Sequence, residues 1–184
     1  MEIMRMVVTG PVWDGKSTFI RSVSEIETVD TDRRATDESS LIKKKTTVAF
    51  DFGRLQFNPD MALHLYGTPG QERFDFIWDM LIRKAHAYIL LVAAHRPGEF
   101  RYARRVVSYM DQRAKIPMVI GLTHTDCSGA WSQENIIAAL GYYKVETQPP
   151  TVIVNPTETS SVANAVISLV QHYVQFNASK AMVV

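Results

Sequence analysis

Cysteine is almost absent from this chain of 184 residues: Cys127 is the single one. Neither an internal disulfide nor a cysteine-built zinc cluster can therefore arise from its own residues, and a reducing, cytoplasmic setting is expected. An excess of either charge is also missing, since 20 Lys and Arg stand against 19 Asp and Glu for a net charge of +1. Proteins that coat nucleic acid carry a broad basic surplus, so no nucleic-acid partner is expected and any phosphate is held locally. Long apolar runs are lacking as well. The opening MEIMRMVVTG is too short for a signal core or a spanning helix. With no glycine to myristoylate and no terminal cysteine box before the closing KAMVV, no direct membrane anchor is expected. The five histidines form no cluster of the kind that holds zinc. Cys127 has no neighbouring base to lower its pKa, which argues against a catalytic thiol.

What is present is 46% hydrophobic residues, arranged in short apolar runs that alternate with helix-spaced stretches. That material suits one core, so residues 1–184 are expected to form one domain, an α/β fold with a mainly parallel sheet of six strands and helices on both faces. Strands are expected at residues 3–9, 46–53, 63–66, 87–93, 118–123 and 152–154, the second and third joined by a hairpin turn through Asn58, Pro59 and Asp60. Helices are expected at 18–26, with Phe19, Ile20 and Val23 inward, at 75–84, from Pro97 onward with Arg101, Arg104 and Arg105 outward, from an N-cap at Ser132 to about Gly141, and at 161–176. Residues 27–45 are polar and without apolar period, and read as a long functional loop. Trp78, Met80 and Leu81 read either as a partner-facing surface or as core.

The strongest motif is Gly10-Pro11-Val12-Trp13-Asp14-Gly15-Lys16-Ser17, a match to G-x-x-x-x-G-K-[ST] set between an expected strand and an expected helix. Successive amides of such a loop wrap a phosphate, and the helix N-terminus adds its positive end. Lys16 reaches the outer phosphates and the Ser17 hydroxyl ligates Mg²⁺. Trp13 and Asp14 are unusual there, one bulky and one anionic, and both side chains are expected to point outward.

A second motif follows the third strand: Tyr66-Gly67-Thr68-Pro69-Gly70-Gln71-Glu72-Arg73-Phe74. With the phosphate loop it resembles the Ras superfamily of small GTPases, whose second switch reads D-x-x-G-Q-E. The Thr-Pro-Gly-Gln core looks like the prokaryotic MglA-like GTPases. The resemblance covers nearly the whole chain in element order and implies a P-loop NTPase G-domain that binds and slowly hydrolyses GTP as a molecular switch. On that resemblance Gly70 contacts the γ-phosphate, Gln71 orients the attacking water, and Lys16 stabilises charge. Thr47, or Thr46 by one residue, is the first-switch threonine that ligates Mg²⁺ with Ser17. Gly67 stands where the family usually has an aspartate for the metal. Position 46 is threonine where MglA-like proteins carry an arginine, which leaves Arg33, Arg34, Lys43, Lys44, Lys45 or a partner to neutralise charge and implies slow turnover.

Base recognition is expected at Thr123-His124-Thr125-Asp126, where the family has [NT]-K-x-D: Asp126 accepts from guanine, Thr123 braces the loop and His124 lies over the base. Asn155-Pro156-Thr157 falls where the family reads guanine O6 with an amide. Pro156 has no N–H, so guanine preference is weakened or passes to Thr157. The expected nucleotide-binding residues are thus Gly10, Val12, Asp14, Gly15, Lys16, Ser17, Thr18, Gly70, Thr123, His124, Asp126, Pro156 and Thr157. Effector and regulator proteins are implied, a Roadblock-fold protein among them. The alternatives are a nucleotide-binding module with negligible hydrolysis and an ATP-using P-loop protein.

Overall fold

The apolar run at residues 6–8 is buried on both sides because its strand, β1 (Glu2–Thr9), lies in the interior of the sheet. The structure, a computed structural model, describes residues 2–30, 50–70 and 74–182. Thr46, Thr47, Gln71 and the basic residues Arg33, Arg34 and Lys43 to Lys45 lie outside the described residues.

After β1 come α1 (Lys16–Val23), β2 (Val29–Asp30), β3 (Asp51–Asn58), β4 (Met61–Gly67), α2 (Asp75–Ile82), β5 (Ala87–Ala93), α3 (Phe100–Arg113), β6 (Met118–Thr123), α4 (Gln133–Ala139), β7 (Thr151–Ile153) and α5 (Thr159–Ala181). The sheet order is β2-β3-β4-β1-β5-β6-β7. All six expected strands are there, and the two-residue β2 extends the edge beyond β3. Strands β4, β1, β5, β6 and β7 run parallel, while β3 is antiparallel to β4 and to β2. From β1 the chain crosses to the far edge at β2 and returns through β3 to β4 beside β1, and then, from β5 onward, builds outward on the other side. That reversal opens a crevice at the carboxyl end of β1, the place where open α/β sheets bind ligands.

Burial follows the period of two. Met6, Val8, Leu63, Leu65, Ile89 and Leu91 face α1 and α5, meeting Phe19, Ile20, Val162, Val166 and Leu169. Val7, Tyr88, Leu90 and Val92 face the other way, against Trp78, Val106, Met110 and Ile136 of α2, α3 and α4. Strand β5 is buried at every residue, which explains its unbroken apolar sequence. Arg101, Arg104 and Arg105 lie on the exposed side of α3. Ser132 caps α4 by accepting the Asn135 amide at 3.4 Å.

Three boundaries differ from expectation for physical reasons. The hairpin strand spans Asp51–Asn58 rather than 46–53, because pairing with β4 runs through to the turn and tolerates the polar Arg54 and Gln56 on a strand near the sheet edge. Helix α1 begins at Lys16, directly out of the loop, and stops at Val23. There Ser24 turns extended and Glu25 donates its amide to the Arg54 carbonyl at 2.8 Å, drawing the chain toward β3. Helix α5 runs on to Ala181, its last turns exposed. No helix among the described residues is long and apolar enough to cross a membrane.

Candidate functional site

Between β1 and α1 the chain makes the loop that the motif requires. Gly15 holds φ 92°, a left-handed conformation that L side chains resist, and serves as the N-cap of α1 with no side-chain hydrogen bond. The first amides of α1 therefore keep their hydrogen-bonding capacity for a ligand. The Lys16 ammonium is folded back onto the loop, donating to the carbonyls of Gly10 (2.9 Å) and Pro11. Burial lowers its pKa to about 8, with Asp14 and Asp51 acting in the opposite direction.

The loop is clamped from several sides. Thr123 Oγ1 donates to the Asp14 carbonyl at 3.3 Å, Arg96 Nη1 reaches the Val12 carbonyl at 3.4 Å, and the Pro156 ring packs on Gly15 so closely that a Cβ there would meet Pro156 Cγ at 2.8 Å. Ser22 Oγ in turn donates to the Pro156 carbonyl. Gly70 lies against the same loop, where a Cβ would meet the Val12 nitrogen at 2.8 Å. Trp78 Nε1 donates to the Pro69 carbonyl at 2.8 Å. Trp78 is thus a core anchor for the loop after β4, whereas Met80 is exposed.

Asp14 departs from expectation. Trp13 points outward, 77% exposed, but Asp14 is fully buried. Its two carboxylate oxygens find no partner in good hydrogen-bond geometry, and the nearby Ala93 amide favours the charged form only in part. Desolvation dominates, against Lys16 and Arg96 and together with Glu99, and pushes the Asp14 pKa up to about 6. Trp13 takes φ 69°, and of these two consecutive side chains the larger goes to solvent and the smaller inward.

The residue that sequence reasoning missed is Asp51. Ser17 Oγ donates to Asp51 Oδ2 at 2.6 Å. Asp51 pairs across the β3–β4 ladder with Gly67, the position where the resemblance asked for an acid. A Cβ on Gly67 would sit 3.1 Å from Asp51 Oδ2 and 2.9 Å from Ile20 Cδ1, so the volume of a side chain at 67 is filled by the Asp51 carboxylate. A signal for this was present in the hairpin but needed the bulge. Asn58 pairs with Met61 while Gln56 pairs with Ala62, so one extra residue, Phe57, shifts the register. Without that bulge Phe52, not Asp51, would stand opposite Gly67.

At the far end of the crevice His124, Thr125, Asp126, Pro156 and Thr157 border the same cleft of about 1250 Å³ as Val12, Gly15, Lys16, Ser17, Thr18 and Gly70. Gly10 and Thr123 act from behind, supporting the loop rather than lining the cleft. His124 adopts φ 56° and lies 4.8 Å from the His95 ring. Burial, followed by His95 and Arg96, lowers its pKa despite Asp126, which favours the uncharged ring. The Thr157 amide donates to Asn155 Oδ1 at 3.2 Å, and Thr157 Oγ1 to the same oxygen at 2.8 Å. Its donors are engaged within the chain, which differs from the expectation that this amide is offered to a base.

A glycine loop after a central parallel strand, with an uncapped helix and a buried lysine at the topological switch, defines the class: a P-loop nucleotide-binding protein with the G-domain fold of small GTPases. Over 95% of this chain and 99% of the other, the structure matches that of the Arl6 BBS3 small GTPase from Trypanosoma brucei with bound nucleotide analogue GppNp, at a TM-score of 0.70 and 15% identity. The family described as conserved hypothetical ATP binding protein matches residues 8–176, and the chain belongs to that family. An uncharacterized protein of Methanocaldococcus jannaschii is 29% identical over 83 residues, which are 45% of this chain and about half (52%) of that protein's length.

Proposed function

We propose that the protein is a GTP-binding switch of the MglA-like type that hydrolyses GTP slowly. The observation that carries the reading is the clamped loop from Gly10 to Ser17, which faces Asp126 across one cleft and leaves the first α1 amides uncapped. In this reading the loop amides hold the β-phosphate and Lys16 leaves the Gly10 and Pro11 carbonyls for the outer phosphate oxygens. Gly70, already packed on Val12, joins them from the second switch. Gln71 orients the attacking water and Thr47 closes the first switch. Loss of the γ-phosphate releases both loops and alters a surface read by effector or regulator proteins, a Roadblock-fold regulator among them. The setting is cytoplasmic.

The donor set fits Mg²⁺. Ser17 Oγ and Asp51 Oδ2 are hard oxygen ligands brought within 2.6 Å of one another beside the phosphate loop. Mg²⁺ usually keeps several waters and takes one or two protein oxygens together with phosphate oxygens, which is what this pair would leave room for. When bound, Mg²⁺ supplies neutralisation of charge on the phosphates. Asp51→Asn is expected to raise the Mg²⁺ concentration needed for half-maximal GTP binding by about 10-fold while leaving binding in saturating Mg²⁺ close to wild type. A Mg²⁺ titration at fixed GTP measures it, and an unchanged midpoint removes Asp51 from the metal site.

Single-turnover hydrolysis of GTP and ATP, with identification of the nucleotide that co-purifies, tests the whole reading. Gln71→Leu is expected to bind GTP normally and to cleave it more slowly by on the order of 100-fold. No cleavage by wild type, alone or with a regulator, favours a binding module. The engaged Thr157 amide and the missing N–H of Pro156 support a second reading, an ATP-using P-loop protein, in line with the family description. A clear preference for ADP over GDP in competition selects it.

A further inference from the structure

We infer that Trp13 is a nucleoside-recognition residue, its indole packing on the ribose and purine of the bound nucleotide. The inference rests on the reading that the loop from Gly10 to Ser17 holds the phosphates. Three observations lead to it. Trp13 is 77% exposed, an unusual use of the largest side chain, and among the described residues no ring pairs with it. Its backbone is left-handed at φ 69°, a conformation glycine adopts without strain, so local folding does not call for tryptophan here. The conformation is also fixed from both sides, through the Val12 carbonyl on Arg96 and the Asp14 carbonyl on Thr123. The chain thus holds a large flat ring, at some strain, on the border of the cleft that Lys16 and Asp126 share.

The rest of the cleft explains what the ring is for. His124 is a compact ring, Pro156 offers no N–H, and the Thr157 amide is engaged by Asn155. Two backbone positions that could read the polar edge of a base, Pro156 and Thr157, are thus closed to it, and an apolar face supplies part of the grip. Stacking accepts any purine, because every base has a π-face.

The test compares ligands with and without a nucleoside. GDP, ADP and inorganic diphosphate are titrated in Mg²⁺ buffer against wild type, Trp13→Ala and Trp13→Phe. Trp13→Ala is expected to lose roughly 10-fold in affinity for the tighter nucleotide and to keep its affinity for diphosphate within about twofold, while Trp13→Phe retains most of the nucleotide affinity. The emission of Trp13, taken as the difference between wild type and Trp13→Phe, should change with the nucleotide and not with diphosphate. Equal losses for nucleotide and diphosphate, or unchanged nucleotide affinity in Trp13→Ala, overturn the inference and leave the phosphate loop standing. Wild type that binds neither nucleotide nor diphosphate overturns the phosphate-loop reading, and this one with it.

Discussion

Lys16→Ala is expected to lower affinity for GDP, or for ADP if that is the preferred nucleotide, by on the order of 100-fold or more while leaving the protein folded. An ammonium to phosphate contact in a water-poor site is a charge-assisted hydrogen bond worth about 1.5 to 3 kcal/mol each, and Lys16 is placed to make more than one. Its present surroundings argue that it is not there for the fold. Only 8% of the residue is exposed, yet its ammonium rests on two loop carbonyls, and burial has lowered its pKa to about 8. Keeping a cation in that condition costs stability, while its removal leaves the buried Asp14 without its counter-charge; the two effects oppose each other, and the melting temperature should stay near that of wild type. Calorimetric titration with the nucleotide, run beside a melting curve without ligand, measures both. Wild-type affinity in the variant would defeat the phosphate-loop assignment, and a lost melting transition would mean that Lys16 serves the core instead.

The phosphate loop was legible in the sequence because its chemistry is local. Two glycines, a lysine and a hydroxyl at fixed spacing between a strand and a helix define a geometry with few alternatives, and the structure has β1, loop and α1 in that order. Strands β5 and β6 were equally legible, since a central parallel strand is apolar throughout and its ends are marked by turn residues. Where reading along the chain failed, the missing information lay across it. Asp51 looks like an interior strand residue until the bulge at Phe57 is known, and only the cross-strand register turns it toward Ser17 and Gly67. The inward turn of Asp14 accompanies the left-handed backbone at Trp13, a conformation no residue type there announces. The engaged amide of Thr157 depends on an Asn155 rotamer. In each case the side-chain type was visible and its direction was not.

Asp14→Ala is expected to stabilise the nucleotide-free protein by about 2 to 3 kcal/mol at pH 7.5, a rise in melting temperature of roughly 5 to 10 °C for a chain of this size. The Asp14 carboxyl has no solvent exposure and no partner in good hydrogen-bond geometry, and its pKa stands at about 6 against 3.8 for an ordinary aspartate. The unfolded chain therefore releases that proton more readily than the folded one. Below pH 3.8 the group is protonated in both states and the ionisation penalty vanishes. As pH rises through the interval up to about 6 the folded state loses stability, reaching a penalty of about 3 kcal/mol for two pKa units. Removing the carboxyl also takes a counter-charge from Lys16, which offsets part of the gain. Arg96 and Glu99 flank the same group with opposite signs and partly cancel. The advantage of the variant should therefore be large at pH 7.5 and mostly gone by pH 4.5, whereas a gain from relieved crowding would be the same at both. Thermal or urea unfolding of wild type and variant at the two pH values separates these cases. A variant no more stable than wild type at pH 7.5, or equally more stable at both, would show that the ionised carboxylate is not the source of the strain beneath the loop.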